Sequence, residues 1–402
     1  MGMRDDIERQ IRAANAGRDP TLRARKYAAM ANDVFAFLRG TCHLFYARMP
    51  IARVTRSAPA AWACGDLHLA NFGSYRGDNH LVYFDLNDFD EACLAPCTWD
   101  LLRLSASVLV GRKALAVGAK DARSLCESLV AAYADAIAEG KARWLEREAA
   151  TGAVRELLYG LRARKRPKHL DRYTEVSRGQ RKLVADGAHA LPADRAQARL
   201  LRSFMAAFAK TQDNPRFFRV LDVARRVAGT GSLGLERYVL LVHGHGSPDG
   251  NFLLDLKEAA RSSVAARTGL HQPRWPSEAH RVAAVQRRVQ AISVAFLHPV
   301  VLEHKSFVLR ALQPTQDRVD LTRVAGDAAR LQQLMISLGR LAAWGQLRSS
   351  GRQGSATADE LIRYWSKPRR SRKLLALATQ CAERVEEDWE AYRHTYAAGR
   401  LK

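Results

Sequence analysis

Residues 62–104 read WACGDLHLANFGSYRGDNHLVYFDLNDFDEACLAPCTWDLLRL, and the rest of the chain is interpreted outward from this stretch. Two short runs within it, 71–76 and 80–84, have the composition of β-strands. Between them, Arg76-Gly77-Asp78-Asn79 supplies the residues of a tight turn. The stretch therefore predicts a β-hairpin inside an acid-rich segment.

The same stretch carries seven acidic side chains, although the whole chain has a formal net charge of +23. The predicted hairpin would bring Asp66, Asn71 and the acidic cluster 85–91 to one of its ends. Magnesium prefers one or two carboxylates and an amide oxygen, with phosphate and water completing its octahedron. The grouping predicts a magnesium site, and the alternative is a hairpin whose aspartates only cap turns.

The order G-D-x-H-x-x-N, strand pair, D-F-D and W-D-L resembles the catalytic segment of the protein-kinase-like fold, most closely that of aminoglycoside and choline phosphotransferases. The resemblance implies that Asp66 orients an acceptor hydroxyl or takes its proton, and that Asn71 binds metal. It also implies that Asp88 chelates the main Mg²⁺. Asp85 is the competing candidate for that role, and Asp90 is a reserve ligand.

Two further residues take supporting roles under the same resemblance. His68 is grouped with Asp66 in the catalytic loop, which its hydrogen bonds would hold in place. Asp100 belongs to the triplet Trp99-Asp100-Leu101 at the predicted start of a helix, from which it would brace that loop.

A second informative stretch, 225–260, reads RRVAGTGSLGLERYVLLVHGHGSPDGNFLLDLKEAA. Its pattern predicts a strand, a Gly-rich turn, a strand, another turn and a third strand that ends in Lys257. No helix follows the glycines, which argues against a Rossmann dinucleotide site. The alternative is an ordinary meander with an exposed Lys.

This second pattern resembles the phosphate-cradling hairpin of kinases. Under that resemblance the loop holds phosphates through backbone N–H groups, which glycines leave accessible. The cradling residues would be Gly229, Gly231, Ser232 and Gly234, and Lys257 would pair with the phosphates. The acidic partner that kinases give this Lys is not evident, because Glu258 points the other way on a strand and Glu278 lies at a helix start.

The order of the two stretches is reversed relative to ordinary kinases, and a circular permutation would reconcile it. A helix at 277–297, a strand at 306–312 and a helix at 321–347 would then complete the fold. The predicted fold class is α+β, a two-lobed kinase-like fold with a helix-rich large lobe and a small antiparallel-sheet lobe. The predicted divisions are 1–225 (first half of the large lobe), 226–320 (nucleotide-binding small lobe) and 321–402 (helices returning to the large lobe).

The whole chain also resembles a bacterial family catalogued as domain of unknown function 2252. The resemblance rests on GDLHLANFG (65–73), FDLNDFDEA (84–92), WDLLRLSAS (99–107), GTGSLG (229–234) and DLKEA (255–259). It supports a site and implies no substrate. The family pattern has His-Ala-Arg near the end of the late helix, where this chain has residues 344–348 without a His.

Composition limits the classes of protein further. No apolar run approaches the roughly 20 residues that span a bilayer, and the first residues lack a signal-peptide apolar segment, so we expect a cytoplasmic protein without membrane contact. The charge of +23 permits weak, non-specific nucleic-acid binding. Six cysteines without a C-x-x-C pair argue against a zinc ribbon.

Together these features predict an ATP- and Mg²⁺-dependent phosphotransferase whose partners are the nucleotide and a hydroxyl-bearing acceptor of unknown identity. One alternative is nucleotidyl transfer, in which the same fold transfers AMP. The other is a protein that senses nucleotide or binds nucleic acid without catalysis.

Overall fold

The computed structural model describes residues 3–162, 164–313 and 317–401. Its helices are α1 (Met3–Ala14), α2 (Pro20–Asn32), α3 (Val34–Gly40), α4 (Cys42–Arg48), α5 (Arg53–Arg56), α6 (Trp99–Val110), α7 (Ala119–Glu139), α8 (Gly152–Arg162), α9 (Arg166–Leu170), α10 (Arg195–Ala209), α11 (Glu278–Val289), α12 (Ala328–Ser349), α13 (Ala358–Trp365) and α14 (Arg369–Ala397).

The strands form antiparallel sheets. They are β1 (Ala60–Ala63), β2 (Phe72–Arg76), β3 (Val82–Leu86), β4 (Cys93–Pro96), β5 (Leu145–Glu146), β6 (Thr174–Ser177), β7 (Gln180–Leu183), β8 (Ala190–Pro192), β9 (Val220–Arg226), β10 (Arg237–Val242), β11 (Phe252–Glu258), β12 (His298–Leu302) and β13 (Lys305–Ala311). The α+β class is therefore confirmed.

The predicted acid-rich hairpin is present as β2 and β3. Phe72 lies opposite Leu86, and Arg76 lies opposite Val82, so the strands pair over their full length. The short strands β1 and β4, which lie on either side of the hairpin in the sequence, pair with each other. Because β1 precedes the hairpin and β4 follows it, this pairing ties together the two chain segments that flank it.

The second predicted pattern forms part of a six-stranded sheet with the order β12-β13-β11-β10-β9-β8. The Gly-rich residues 227–236 join β9 to β10, and Lys257 lies at the penultimate position of β11. The predicted strand–turn–strand–turn–strand order is thus confirmed. Strand β8 lies before residue 226 and β9 ends at Arg226, so the sheet includes chain from both sides of the boundary predicted there.

Two predicted helices have different limits in the structure. The helix predicted at 277–297 is wrong beyond Val289, since Gln290 turns to extended backbone and its side-chain amide donates to Leu86 O at 2.7 Å. The helix predicted at 321–347 begins at Ala328, where Asp327 caps it by accepting from Arg330 N. In both cases a local hydrogen bond fixes the terminus of the helix, and the spacing of apolar residues in the sequence does not reveal it.

Helices α6, α7, α12 and α14 make the centre of the larger core. Helix α6 is buried on nearly every side, and α7 packs along α12. Helix α14 reaches α2: Trp389 Nε1 donates to Met30 O, and the Tyr392 hydroxyl donates to Tyr27 O, each at 2.9 Å. A smaller core lies between the sheet and α10, and its buried residues include Met205 of α10 and Leu254 and Leu256 of β11. Within the described residues, no helix combines the length and apolarity that crossing a membrane requires.

Helices α7 and α12 approach so closely that one position tolerates only glycine. A Cβ on Gly339 would overlap the carbonyl oxygen of Leu129. We expect Gly339→Ala to lower the free energy of unfolding by about 1–3 kcal/mol, because well-packed helices must separate to admit a methyl group. Urea denaturation measures the change.

The matched control is Gly160→Ala in α8, where an added Cβ would meet nothing within 4 Å. That variant should be neutral or more stable by up to about 1 kcal/mol, as expected for Gly→Ala in a helix. Equal effects of the two substitutions would contradict the close packing of α7 on α12.

Candidate functional site

The Gly-rich loop and the acid-rich hairpin line one cavity of about 370 Å³. These parts lie some 160 residues apart in the sequence, and the cavity lies between them. Eight of the predicted site residues line it: Asp66, His68, Asn71, Asp88, Asp90, Gly229, Gly231 and Ser232. The other four, Asp85, Asp100, Gly234 and Lys257, stand behind or beside the lining.

Asp66 is held by an arginine that the sequence did not single out. Arg103 of α6 is fully buried and donates from Nε to Asp66 Oδ1 at 2.8 Å, with a second, shorter bond from Nη2. Its Nη2 also donates to Leu38 O at 2.9 Å. Burial raises the pKa of Asp66 to about 6, and the Arg103 charge limits the rise. Asp66 is thus oriented, and its carboxyl titrates close to neutral pH.

The loop that carries Asp66 is braced from the start of α6, as predicted for Asp100. The Asp100 carboxylate accepts from Cys64 N at 2.7 Å and from Gly65 N at 3.0 Å. Gly65 has φ +81°, and a Cβ there would overlap the Glu91 carbonyl. Burial raises the pKa of Asp100 to about 6, although these two bonds favour its charged form. The backbone before Asp66 is therefore fixed from both sides.

His68 and Asn71 shape the rest of this loop. His68 is buried, and its Nδ1 accepts from Ala70 N at 3.1 Å, so the neutral ring carries its proton on Nε2. Burial keeps the pKa of His68 well below its usual value. Asn71 donates from Nδ2 to the Asp66 carbonyl. These contacts fit the predicted role of His68 in holding the loop. Asn71 lines the cavity, and its side-chain oxygen takes no part in the bond to the Asp66 carbonyl.

The Lys257 side chain contacts Asp88 and Asp90, which follow β3 at the open end of the β2–β3 hairpin. Its Nζ lies 2.5 Å from Asp90 Oδ2 and 3.5 Å from Asp88 Oδ1. Burial opposes ionisation of Asp88, but Lys257 and Arg310 outweigh it and lower the Asp88 pKa to about 2. Burial and the Asp88 charge raise the pKa of Asp90. The acidic partner that the sequence left open for Lys257 is therefore Asp90, while Glu278 pairs with Arg281.

Asp85 lies apart from these carboxylates. It is fully buried, pairs with Arg348 Nη2 at 2.7 Å, and accepts from Leu86 N and Ala291 N at 2.9 and 3.1 Å. The structure does not bring Asp85 to the cavity. Of the three aspartates predicted as metal ligands, it brings together Asp88 and Asp90.

The Gly-rich loop is anchored by the N-terminal helices. Arg18 donates to the carbonyls of Gly231 and Leu233 at 2.7 and 2.9 Å, and Lys26 Nζ donates to Gly231 O at 2.9 Å. Gly234 has φ +91°, and its Cβ would contact Arg18. Gly231 lies against Asp66, because a Cβ there would come 3.8 Å from Asp66 Oδ2. The Gly-rich loop thus faces the Asp66 carboxylate directly.

Five cationic side chains that sequence analysis did not identify also line the cavity. They are Arg18, Lys26, Arg39, Arg261 and Arg318. Lys26 is 2% exposed, and its Nζ donates to the Gly231 carbonyl and to no carboxylate among the described residues. Burial, with the nearby Arg18 charge, lowers the pKa of Lys26 well below its usual value. Residues of this type on α2 and α3 look like solvated helix positions in the sequence, and no motif marks them.

The sheet next to Lys257 carries a second unforeseen group. Asp255, two residues before Lys257 and on the same face of β11, is fully buried and accepts from Arg237 at 2.8 and 2.6 Å. Arg226 Nη1 lies 3.0 Å from it, and Arg310 Nε lies 3.7 Å away. These charges lower the pKa of Asp255 despite its burial. Three arginines thus surround one carboxylate beside the cavity.

The oxygen donors of the cavity suit a hard cation. Asp88, Asp90 and Asn71 supply carboxylate and amide oxygens, the ligands that Mg²⁺ prefers. Over the described ranges, His, Cys, Asp and Glu side chains form no group of three or more spaced to hold a metal ion. Magnesium would therefore need oxygen atoms from outside such a group, and phosphate and water are its usual additional ligands.

Comparison with known proteins gives one match. The model of a family described as "Uncharacterized protein conserved in bacteria (DUF2252)" matches residues 18–395. Searches of curated proteins and of solved structures each found no match. The matched range includes every residue named above as lining or supporting the cavity.

The raised pKa of Asp66 predicts a pH effect on stability. Because the folded pKa of about 6 exceeds the ordinary 3.8, this group stabilises the fold below pH 4, and that contribution is lost as pH rises through 6. We expect the free energy of unfolding of the wild type, relative to Asp66→Asn, to fall by on the order of 3 kcal/mol from pH 4 to 7.

Urea denaturation at several pH values measures this difference, with Asp78→Asn at an exposed turn as control. The free energy of unfolding of Asp78→Asn should change with pH as that of the wild type does. A difference between wild type and Asp66→Asn that does not vary with pH would show that burial does not raise the pKa of Asp66.

Proposed function

This chain belongs to the DUF2252 family, and we propose that it is an ATP- and Mg²⁺-dependent phosphotransferase acting on a hydroxyl acceptor. One observation carries the proposal. A single cavity collects Asp66, Asn71 and Asp88 from one part of the chain and the Gly229–Ser232 loop from another. A general base, metal-binding oxygens and a phosphate-binding loop are the parts that phosphoryl transfer needs together.

The arrangement of elements around the cavity supports a permuted kinase-like fold. The Gly-rich loop lies between β9 and β10, Lys257 is near the end of β11, and α11 and the β12–β13 hairpin follow. Helix α12 comes after these elements, as predicted for the helix that leads toward the catalytic loop in relatives. The chain order is reversed, but the parts face one another across the cavity as the permutation requires.

Asp66 is the proposed base. Arg103 holds one of its oxygens, and the other lies toward Gly231 and the cavity. In the transfer, the acceptor oxygen forms a bond to the γ-phosphorus and loses its proton to Asp66. The bond from that phosphorus to the bridging oxygen breaks, and ADP leaves. A carboxyl with a pKa of about 6 is mostly ionised at neutral pH and can accept the proton.

The cations of the cavity would hold the nucleotide. Five cations line it: Arg18, Lys26, Arg39, Arg261 and Arg318. The four carboxylates of the lining already have partners in the protein, since Arg103 holds Asp66, Lys257 contacts Asp88 and Asp90, and Ser263 donates to Glu91. A polyphosphate would therefore balance the charge of the cations. Asn71, Asp88 and Asp90 would hold Mg²⁺. When bound, that ion neutralises charge on the phosphates and fixes their orientation. Lys257 is placed to exchange its Asp88 and Asp90 contacts for phosphate oxygens.

Calorimetric titration with ATP, with and without Mg²⁺, tests the nucleotide site. The wild type should bind ATP with Mg²⁺, and Lys257→Met and Asp88→Asn should each weaken binding about tenfold or more, the scale of a lost charge-assisted bond. Lys305→Ala is the matched control, since Lys305 lies on neighbouring β13 and its side chain is 51% exposed.

The control should bind as the wild type does, and thermal unfolding should show that all variants are folded. If wild-type protein binds no ATP under either condition, the cavity is not a nucleotide site and the proposal fails. Loss of binding in both cleft variants would show that two distant sequence segments hold one nucleotide.

Nucleotidyl transfer is the second candidate, and the arginines around Asp255 favour it. Arg226, Arg237 and Arg310 occupy the sheet face next to Lys257. This face is strongly charged, so it suits phosphates better than an adenine ring. A nucleotide bound with its phosphates toward this face would present the α-phosphorus, and not the γ-phosphorus, to the acceptor.

ATP labelled at either the α- or the γ-phosphate distinguishes the two reactions. We expect the γ label to appear on phosphate or acceptor, with ADP as the other product, and Asp66→Asn to remove this activity. Label from the α position on an acceptor, with pyrophosphate released, would establish nucleotidyl transfer instead. If ATP binds but neither label leaves it, the protein binds nucleotide without catalysis.

A further inference from the structure

A second cavity, of about 380 Å³, lies between the β2–β3 hairpin, the segment 161–170 and the ends of β11 and β13. It shares no lining residue with the first cavity. Nothing in the proposed phosphotransferase reaction uses it. Its walls come from both the helix-rich part of the chain and the six-stranded sheet.

Four side chains that line this cavity have buried polar atoms without a hydrogen-bond partner among the described residues. These atoms are Ser74 Oγ, His169 Nδ1, Asn251 Oδ1 and both amide atoms of Gln313. Ser74 and Asn251 are fully buried. An unsatisfied buried polar group costs about 1–3 kcal/mol, so a cluster of them around one cavity points to a ligand that satisfies them.

The free atoms specify what the ligand must offer. Asn251 Nδ2 already donates to His243 O and Ser247 Oγ at 3.0 and 3.1 Å, so Asn251 presents only an acceptor. Gln313 presents a donor and an acceptor side by side, because neither amide atom is used. A paired donor and acceptor on the ligand matches this edge, and Gln forms such a pair with adenine N6 and N7.

The mouth of the cavity is basic. Arg76, Lys165 and Arg166 are exposed there. Asp317, the acidic side chain in the lining, is paired with Arg164 at 2.5 Å. The three exposed cations therefore have no carboxylate in the lining to balance them, and an anionic ligand would.

The remaining walls are apolar. Leu161, Leu170, Phe252, Leu253 and Leu312 line the cavity between the polar atoms and the basic mouth. Apolar walls with a few placed polar groups are typical of small-molecule sites. An aromatic base fits between such side chains while its edge reaches Gln313.

We propose that this cavity binds a nucleoside monophosphate, with an adenine-type base against Gln313 and the phosphate at Arg76, Lys165 and Arg166. The site is regulatory in position. Ser74 lies three residues after Asn71 on the same hairpin, and Asp317 is adjacent to Arg318 of the first cavity. A ligand here would contact both parts of the fold that form the catalytic cleft, and its binding does not depend on the proposed activity.

The experiment is calorimetric titration of the full chain with AMP in the absence of Mg²⁺. The wild type should bind one AMP, and Gln313→Leu, Ser74→Ala and Arg166→Glu should each weaken binding, Gln313→Leu by about tenfold or more. Since the Ser74 and Gln313 side-chain atoms make no bond within the described protein, Ser74→Ala and Gln313→Leu should not lower the melting temperature. If these two side chains had only a structural role, the substitutions would lower the melting temperature.

Two controls separate this site from the catalytic cleft. Arg372→Glu, an exposed charge reversal on α14, and Lys257→Met should both bind AMP as the wild type does. If AMP binding is absent in the wild type, or survives Ser74→Ala and Gln313→Leu, the proposal is overturned. It is also overturned if Lys257→Met alone removes binding, since AMP would then occupy the first cavity. The ATP titration above can succeed or fail independently of each result.

Discussion

The buried contact between Arg103 and Asp66 is the interaction on which the site depends. Arg103 has no exposure and gives Asp66 two hydrogen bonds, so removing either partner would leave an uncompensated charge inside the protein. The pair joins α6, the most enclosed helix of the core, to the loop before the β2–β3 hairpin. Asp100, one helical turn earlier on α6, fixes the backbone of the same loop. The cavity therefore has a rigid floor.

Cationic side chains distinguish the opposite wall of the cavity. Arg18, Lys26 and Arg39 of this wall come from the N-terminal part of the chain, and Arg261 and Arg318 come from later segments. Their positive charge is only partly balanced by Asp88, Asp90 and Glu91. Burying such charges is costly unless they are paired. Burial is the largest cause that lowers the pKa of Lys26, in agreement with this cost. A polyanionic ligand would relieve this cost, and the proposed binding of phosphates rests on that physical argument.

Much of this arrangement could be predicted from the sequence where residues carry local signals. The hairpin follows from its turn residues and the loop from its glycines, and the resemblance to kinase-like enzymes implied the bracing role of Asp100. What could not be predicted depends on tertiary contacts. Arg103 and Lys26 sit on helices whose spacing marks them as ordinary charged positions, and Asp90 becomes the partner of Lys257 only because β11 passes the hairpin. Asp85 looks like Asp88 in sequence, and Arg348 distinguishes them in space.

The contacts of α14 with α2 have a consequence for how the protein is made. Trp389 and Tyr392 donate hydrogen bonds to the carbonyls of Met30 and Tyr27, which follow Lys26 on the same helix. During synthesis, α2 leaves the ribosome long before α14 does. Helix α2 gains these contacts only after α14 has emerged. A nascent chain that has not yet reached α14 therefore carries every motif of the cleft without the contacts that support this wall.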